Sequence, residues 1–214
     1  MLEDDELYGM LRHPFSMCIC GPSQSGKTNL IFQILRNKNS LIDREINTVW
    51  YVYGIMQDKF LEIKKELPFI NFVKNLPDDV NLSNDLVIWD DMMCEISEGK
   101  NTFFTQFITR QVHHQTIPTI YTTQNLYSKK HRSISLSTNY IVFFNQIRDK
   151  TTIGILSRQM FPSNPCFLIE AFSECLYKKP RGYIFIDLTL DQNDLYRVRN
   201  SLFLNEQTKI FSSV

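Results

Sequence analysis

Gly21-Pro-Ser-Gln-Ser-Gly-Lys-Thr28 decides how this chain is read. It follows a mostly apolar run, Phe15-Ser-Met-Cys-Ile-Cys20. It precedes Leu30, Ile31, Ile34 and Leu35, which recur at helical spacing. A buried strand, a glycine loop and a helix start form the context in which G-x-x-x-x-G-K-[ST] cradles phosphate. Gly21 and Gly26 allow backbone conformations that a Cβ would forbid and bring amide N–H groups against phosphate oxygens. A helix beginning near Lys27 aims unpaired N–H groups and its positive dipole end at the same charge. Lys27 is expected to reach the β- and γ-phosphates, and Thr28 to supply a hydroxyl to Mg²⁺. The expected contacts to ATP are thus Gly21, Pro22, Ser23, Gln24, Ser25, Gly26, Lys27, Thr28 and Asn29.

The remainder of the chain has the composition of a globular protein. Its 214 residues are 43% hydrophobic and 21% charged, with 23 acids balancing 23 bases. That length suits one domain, residues 1–214, with about 12 N-terminal and about 10 C-terminal residues peripheral. Zero net charge argues against an overall basic coat and leaves room for a local basic stripe. Five cysteines at irregular spacing, with no CxxC pair, fit buried thiols in a reducing compartment. The acidic start, Met-Leu-Glu-Asp-Asp-Glu, is unlike a signal peptide, and no apolar run reaches the ~18 residues of a membrane span. A soluble intracellular protein without a membrane partner is expected.

Further strands are expected at Thr48–Tyr53, Leu86–Asp90, Thr119–Thr123, Tyr140–Asn145 and Tyr183–Asp187. Between them, Met56, Phe60, Ile63 and Leu67 mark a helix ending at Pro68, and Phe103, Phe104, Phe107 and Ile108 mark another. Two more helices are expected, over about 150–160 and 164–178. Strands that are apolar throughout are buried on both faces, so the alternation predicts an α/β fold. With the phosphate-loop motif, the fold expected is a three-layer P-loop NTPase of the ASCE/RecA-like kind, with a mainly parallel central sheet flanked by helices. In such sheets the ligand lies beyond the carboxyl ends of the strands.

Polar residues at those ends are therefore the candidates for chemistry. Leu86-Val-Ile-Trp leads into Asp90-Asp91, the Walker B arrangement. Asp90 is expected to hold Mg²⁺ alongside Thr28, and Asp91 to act as the base that polarises the attacking water. Thr122-Thr123-Gln124-Asn125 ends the next expected strand. Gln124 is the first choice for a sensor of the γ-phosphate or lytic water, ahead of Asn125 and Thr123. A small-molecule or nucleotide kinase shares the cradle, but a sensor strand lying between the two Walker strands points to an ATPase.

Together Gly21–Thr28, Val49-Trp-Tyr-Val-Tyr-Gly54, Leu86–Asp91, Tyr121-Thr-Thr-Gln-Asn125, Ile141-Val-Phe-Phe-Asn-Gln146 and Tyr183–Asp187 resemble the FtsK/HerA superfamily. Within it the chain is similar to the compact genome-packaging ATPases of DNA viruses and polinton-like elements. The resemblance covers about residues 15–203. It implies ATP hydrolysis coupled to translocation of double-stranded DNA through a homo-oligomeric ring, usually of five or six subunits, that works with a capsid or portal protein. It further implies a virion or host-cell location, in the nucleus or a cytoplasmic factory. A trans-acting arginine would complete the site, with Arg148 the first candidate, Arg158 the second, and Arg197 and Arg199 behind. Many relatives carry glutamate where this chain has Asp91. Another helicase-like motor, a kinase and a nucleotide-gated switch are the alternative functions.

Tyr127-Ser-Lys-Lys-His-Arg132 is the densest basic run. Lys129, Lys130 and Arg132 are expected to contact DNA phosphates without reading bases, as a translocating motor requires. Lys178-Lys179-Pro-Arg181 is read as the approach to the last strand.

Overall fold

The structure is a computed structural model that describes residues 9–76, 85–90, 117–127, 136–179, 181–203 and 208–213. Nine strands hydrogen-bond in the order β3-β2-β4-β5-β1-β6-β7-β8-β9. They are β1 (Ser16–Cys20), β2 (Thr48–Tyr53), β3 (Ile70–Val73), β4 (Asp85–Asp90), β5 (Thr119–Thr123), β6 (Tyr140–Phe144), β7 (Tyr183–Asp187), β8 (Val198–Arg199) and β9 (Ile210–Phe211). The α/β reading of the sequence therefore holds. β5, which leads into Gln124, takes the place between β4, which ends in Asp90, and β1, which precedes the glycine loop. The helix expected around Phe103–Ile108 lies outside the described residues.

Two compact units make up the chain, Met1–Met17 with Thr28–Thr122, and Cys18–Lys27 with Thr123–Val214. In the first, β2 pairs in parallel with both β3 and β4, and β4 with β5. All six residues of β4 are buried, as a strand covered on both faces must be. Helix α1 (Lys27–Arg36) buries Leu30, Ile31, Phe32, Ile34 and Leu35, and a short helix α2 (Lys38–Leu41) follows. Helix α3 (Lys59–Glu66) buries Phe60 and Ile63. Met56, expected on that helix, lies before it and is half exposed. Tyr51 and Phe60 sit with Phe32 and Phe72 in an aromatic cluster whose ring centroids lie 4.7 to 6.3 Å apart. Burying a ring of this size contributes about 2–3 kcal/mol, and favourable ring pairs add about 1 kcal/mol.

The second unit departs from the parallel pattern. β6 pairs antiparallel with β7, β7 with β8, and β8 with β9. Two helices, α4 (Thr151–Met160) and α5 (Phe167–Lys178), connect β6 to β7. One crossover helix returns a chain to the far end of a sheet and gives a parallel neighbour. A pair returns it to the end it left, so β7 runs back along β6. The register places Phe144 opposite Tyr183. The rings of Phe143 and Phe172, 5.5 Å apart, pack α5 on the sheet. β8 and β9 are too short to be read from periodicity, and β3, four residues separated from α3 by Leu67-Pro68-Phe69, is too short to show a period of its own.

Candidate active site

The phosphate-loop sequence turns at the end of β1. The Gly21 amide donates to the Thr123 carbonyl at 3.0 Å, which pins the start of the loop to the end of β5. A Cβ on Gly21 would sit 2.7 Å from Phe144 Cβ and 2.8 Å from Ser25 Oγ, so only glycine fits without movement. Gly26 has φ +111°, and Gln24 also takes a positive φ, of 63°. The Ser25 amide donates to the Pro22 carbonyl at 3.3 Å, which closes a turn within the loop. Ser25 Oγ is buried there with no hydrogen-bond partner among the described residues. Lys27 Nζ donates to the carbonyls of Gly21 at 2.8 Å and Pro22 at 2.9 Å, so its ammonium curls over its own loop. Helix α1 starts at Lys27 without an acidic residue in its first turn, leaving its positive end uncompensated.

A cleft of about 720 Å³ opens beside this loop. Pro22, Ser23, Gln24 and Ser25 form one wall, with Gln124, Gln146 and Arg148 among the residues facing it. Arg181 lines the same cleft, because the antiparallel register brings the approach to β7 beside the end of β6. The sequence reading placed Arg181 at that approach and gave it no ligand. Its one legible signal was the pair of helical segments ahead of the last strand. Gln146 Nε2 donates to the Gln124 carbonyl at 3.0 Å and lies 3.3 Å from Cys20 Sγ, so it holds the Gln124 segment beside the end of β1. Burial pushes the Cys20 thiol up to about 12. The size and partly polar lining of the cleft suit a nucleotide.

The carboxylate end of β4 is built within the other unit. Asp90 is buried and receives three hydroxyl groups. Thr122 Oγ1 donates to Oδ1 at 3.0 Å, Tyr51 Oη to Oδ2 at 2.5 Å, and Thr28 Oγ1 lies 3.4 Å from Oδ2. Burial first, and the Asp90 charge second, push the Tyr51 phenol well above its ordinary range, so it stays a donor. Thr28 and Asp90 thus present hard oxygens side by side, the chemistry that a small divalent cation takes. Neither Tyr51 nor Thr122 was singled out from the sequence. Tyr51 gave no signal, since its role depends on which strand lies next to β2.

The other sequence candidates fall in several places. Asn29 is exposed on α1, with Lys59 Nζ 3.5 Å from its Oδ1. The Asn125 side chain accepts from the Tyr127 amide at 2.9 Å and its own amide donates to Thr123 Oγ1 at 3.1 Å, so both residues serve the turn after β5. Arg158 is exposed on α4. The Arg197 guanidinium is taken up by Asp194 and by the carbonyls of Asp187, Thr189 and Gln192. Arg199 is buried, its guanidinium carbon 4.5 Å from the centroid of the Phe185 ring. Asp91, Lys129, Lys130 and Arg132 lie outside the described residues. Among those described, no helix is long and apolar enough to cross a membrane.

No protein-family model matches the chain, and no curated protein matches it. In structure the chain is similar to B204, the DNA-packaging ATPase from Sulfolobus turreted icosahedral virus. The identity is 14% over 94% of this chain and 99% of that one, with a TM-score of 0.48. It is similar to the genome packaging NTPase B204 from Sulfolobus turreted icosahedral virus 2 in complex with ATP-gammaS, at 12% identity over 94% and 98% of the two chains and a TM-score of 0.45. A KaiC-like protein from Pyrococcus horikoshii OT3 is similar at 13% identity over 64% and 75% of the chains, with a TM-score of 0.40.

Proposed function

We propose that this protein is a Mg-ATP-hydrolysing motor that translocates double-stranded DNA, acting as one domain within a ring of like subunits to package a viral genome. The observation that carries the ATPase reading is the 3.4 Å approach of Thr28 Oγ1 to the buried Asp90 carboxylate, directly after a loop shaped for phosphate. The strand order supports hydrolysis over phosphoryl transfer to a small acceptor, because β5, the strand that leads into Gln124, lies between β4 and β1. DNA, the ring and a capsid or portal partner rest on the resemblance of the motifs to packaging ATPases.

In this reading the Lys27 ammonium leaves the Gly21 and Pro22 carbonyls and turns to the β- and γ-phosphates, where its charge holds the leaving group's oxygens. The amides of the loop and the start of α1 bind the remaining phosphate oxygens. Thr28 and Asp90 are the residues that would hold magnesium. Bound there, the metal would supply positive charge against the negative charge that develops on the phosphoryl group. Gln124 orients the attacking water, Asp91 accepts its proton, and a trans-acting arginine completes a neighbour's site, the candidates being Arg148, which also lines this chain's own cleft, and exposed Arg158. Lys129, Lys130 and Arg132 hold DNA phosphates. The location would be the virion or the infected cell.

The test is the ATPase rate with and without long duplex DNA, together with the solution mass. DNA-stimulated turnover by an oligomer is expected, and Lys27→Ala should abolish turnover while leaving the folded content unchanged. Parental turnover in Lys27→Ala would end the catalytic assignment. Phosphorylation of an added acceptor would select a kinase instead.

A further inference from the structure

We infer that Tyr51 is a positioning residue for the Asp90 carboxylate, an inference that rests on the Mg-ATP reading above. A carboxylate on an aspartate turns about a broad terminal torsion, so its rotation is set by whatever donors surround it. Here Oδ1 is held by Thr122 and Oδ2 by Tyr51, while the Thr28 hydroxyl at 3.4 Å is the weakest of the three contacts. The Tyr51 bond at 2.5 Å falls in the range of charge-assisted O–H···O⁻ bonds, which are about twice as strong as neutral ones. Oδ2, the oxygen Tyr51 holds, is also the one that faces Thr28.

The phenol can aim so closely because its ring has nowhere else to go. Tyr51 is fully buried. Its ring stacks on Phe32 at 5.6 Å and 22°, and leans on Phe60 at 5.3 Å and Phe72 at 5.1 Å. Those partners come from α1, α3 and β3. The register supplies the reach. Tyr53 is the direct neighbour of Asp90 across the ladder, and Tyr51, two residues earlier, lies on the same face one diagonal step away. Removing the oxygen alone leaves the ring packed and frees the metal-facing side of the carboxylate. Partners of this kind, one shell out from a metal, typically change metal affinity about 10–100-fold when removed.

The experiment uses the full chain and a fluorescent, non-hydrolysable ATP analogue, so that it reads binding and no turnover. Analogue affinity is measured in EDTA and across a Mg²⁺ titration for the parent, Tyr51→Phe and Tyr53→Phe. Tyr53 is on the same face of β2 and its hydroxyl has no hydrogen bond among the described residues, so its variant is the control. The expected result is the same EDTA affinity in all three proteins. Tyr51→Phe alone should show a rise of about tenfold in the Mg²⁺ concentration that gives half the metal-dependent tightening. An unchanged Mg²⁺ midpoint in Tyr51→Phe overturns the inference and leaves the ATP reading standing. So does a drop in EDTA affinity equal to the drop in Mg²⁺, which marks a structural role only. A parent that binds the analogue with no response to Mg²⁺ overturns the reading on which the inference rests.

Discussion

Gly21 is where the geometry of the loop can be tested most directly. In Gly21→Ala the new Cβ would lie 2.7 Å from Phe144 Cβ, 2.8 Å from Ser25 Oγ and 3.4 Å from Phe144 Cγ. The serine hydroxyl can rotate away. Phe144 Cβ cannot, because it is fixed to the backbone of β6, which is hydrogen-bonded to β7 along its whole length. Overpacking of this kind costs about 1–3 kcal/mol. At a mid-range 2 kcal/mol, the melting temperature of a chain this long falls by roughly 4–8 °C. The assay is a double-mutant cycle on urea or thermal midpoints. Phe144→Gly removes the clashing atom and should recover about 1–2 kcal/mol of the Gly21→Ala cost through non-additivity. Phe144→Ala keeps that atom and should recover almost none, although it deletes the whole ring. Equal coupling to both Phe144 variants, or a Gly21→Ala protein as stable as the parent, would refute the reasoning.

Two further outcomes follow from named residues. Burial pushes the thiols of both Cys20 and Cys175 up to about 12, so at pH 8 their thiolate fraction is on the order of 10⁻⁴. Iodoacetamide should then alkylate exposed Cys166 in the folded protein well before either, as read by peptide mass spectrometry. Labelling of Cys20 at the Cys166 rate would contradict the burial. Charge reversal at Lys129 and Lys130 should lower DNA-stimulated ATPase by at least several-fold more than basal ATPase, with a shallower salt dependence of DNA binding. An equal loss of both activities would remove these lysines from the DNA path.

What the sequence discloses and what it hides differ in physical kind. The loop was legible because its motif lies within eight successive residues and Gly26 is demanded by local backbone geometry, as its φ shows, whereas Gly21 is required by the close approach of Phe144 from β6. The parallel half of the sheet was legible because strands buried on both faces advertise it with unbroken apolar runs. The antiparallel half was less so, since β8 and β9 are two residues each and direction depends on how many helices precede β7. Arg181 lines the cleft only through that reversal, and Arg197 and Arg199 are taken up internally by contacts with loop carbonyls and the Phe185 ring. Composition announces none of these three facts.

Tyr51 is the clearest case, because no pattern along the chain joins it to Asp90. The contact spans 39 residues and requires that β2 lie against β4, with β3 pushed to the outer edge. It also requires the register that sets Tyr53 opposite Asp90. A slip of one residue would turn the phenol to the opposite face of the sheet and leave a buried carboxylate short of a donor, at a cost of about 1–3 kcal/mol or more for a charged group. The hydrogen bond therefore helps to select the register that creates it. The same bond that aims the carboxylate also locks the strand pairing, so chemistry and fold constrain one another at a residue whose neighbours in sequence, Trp50 and Val52, read as ordinary strand.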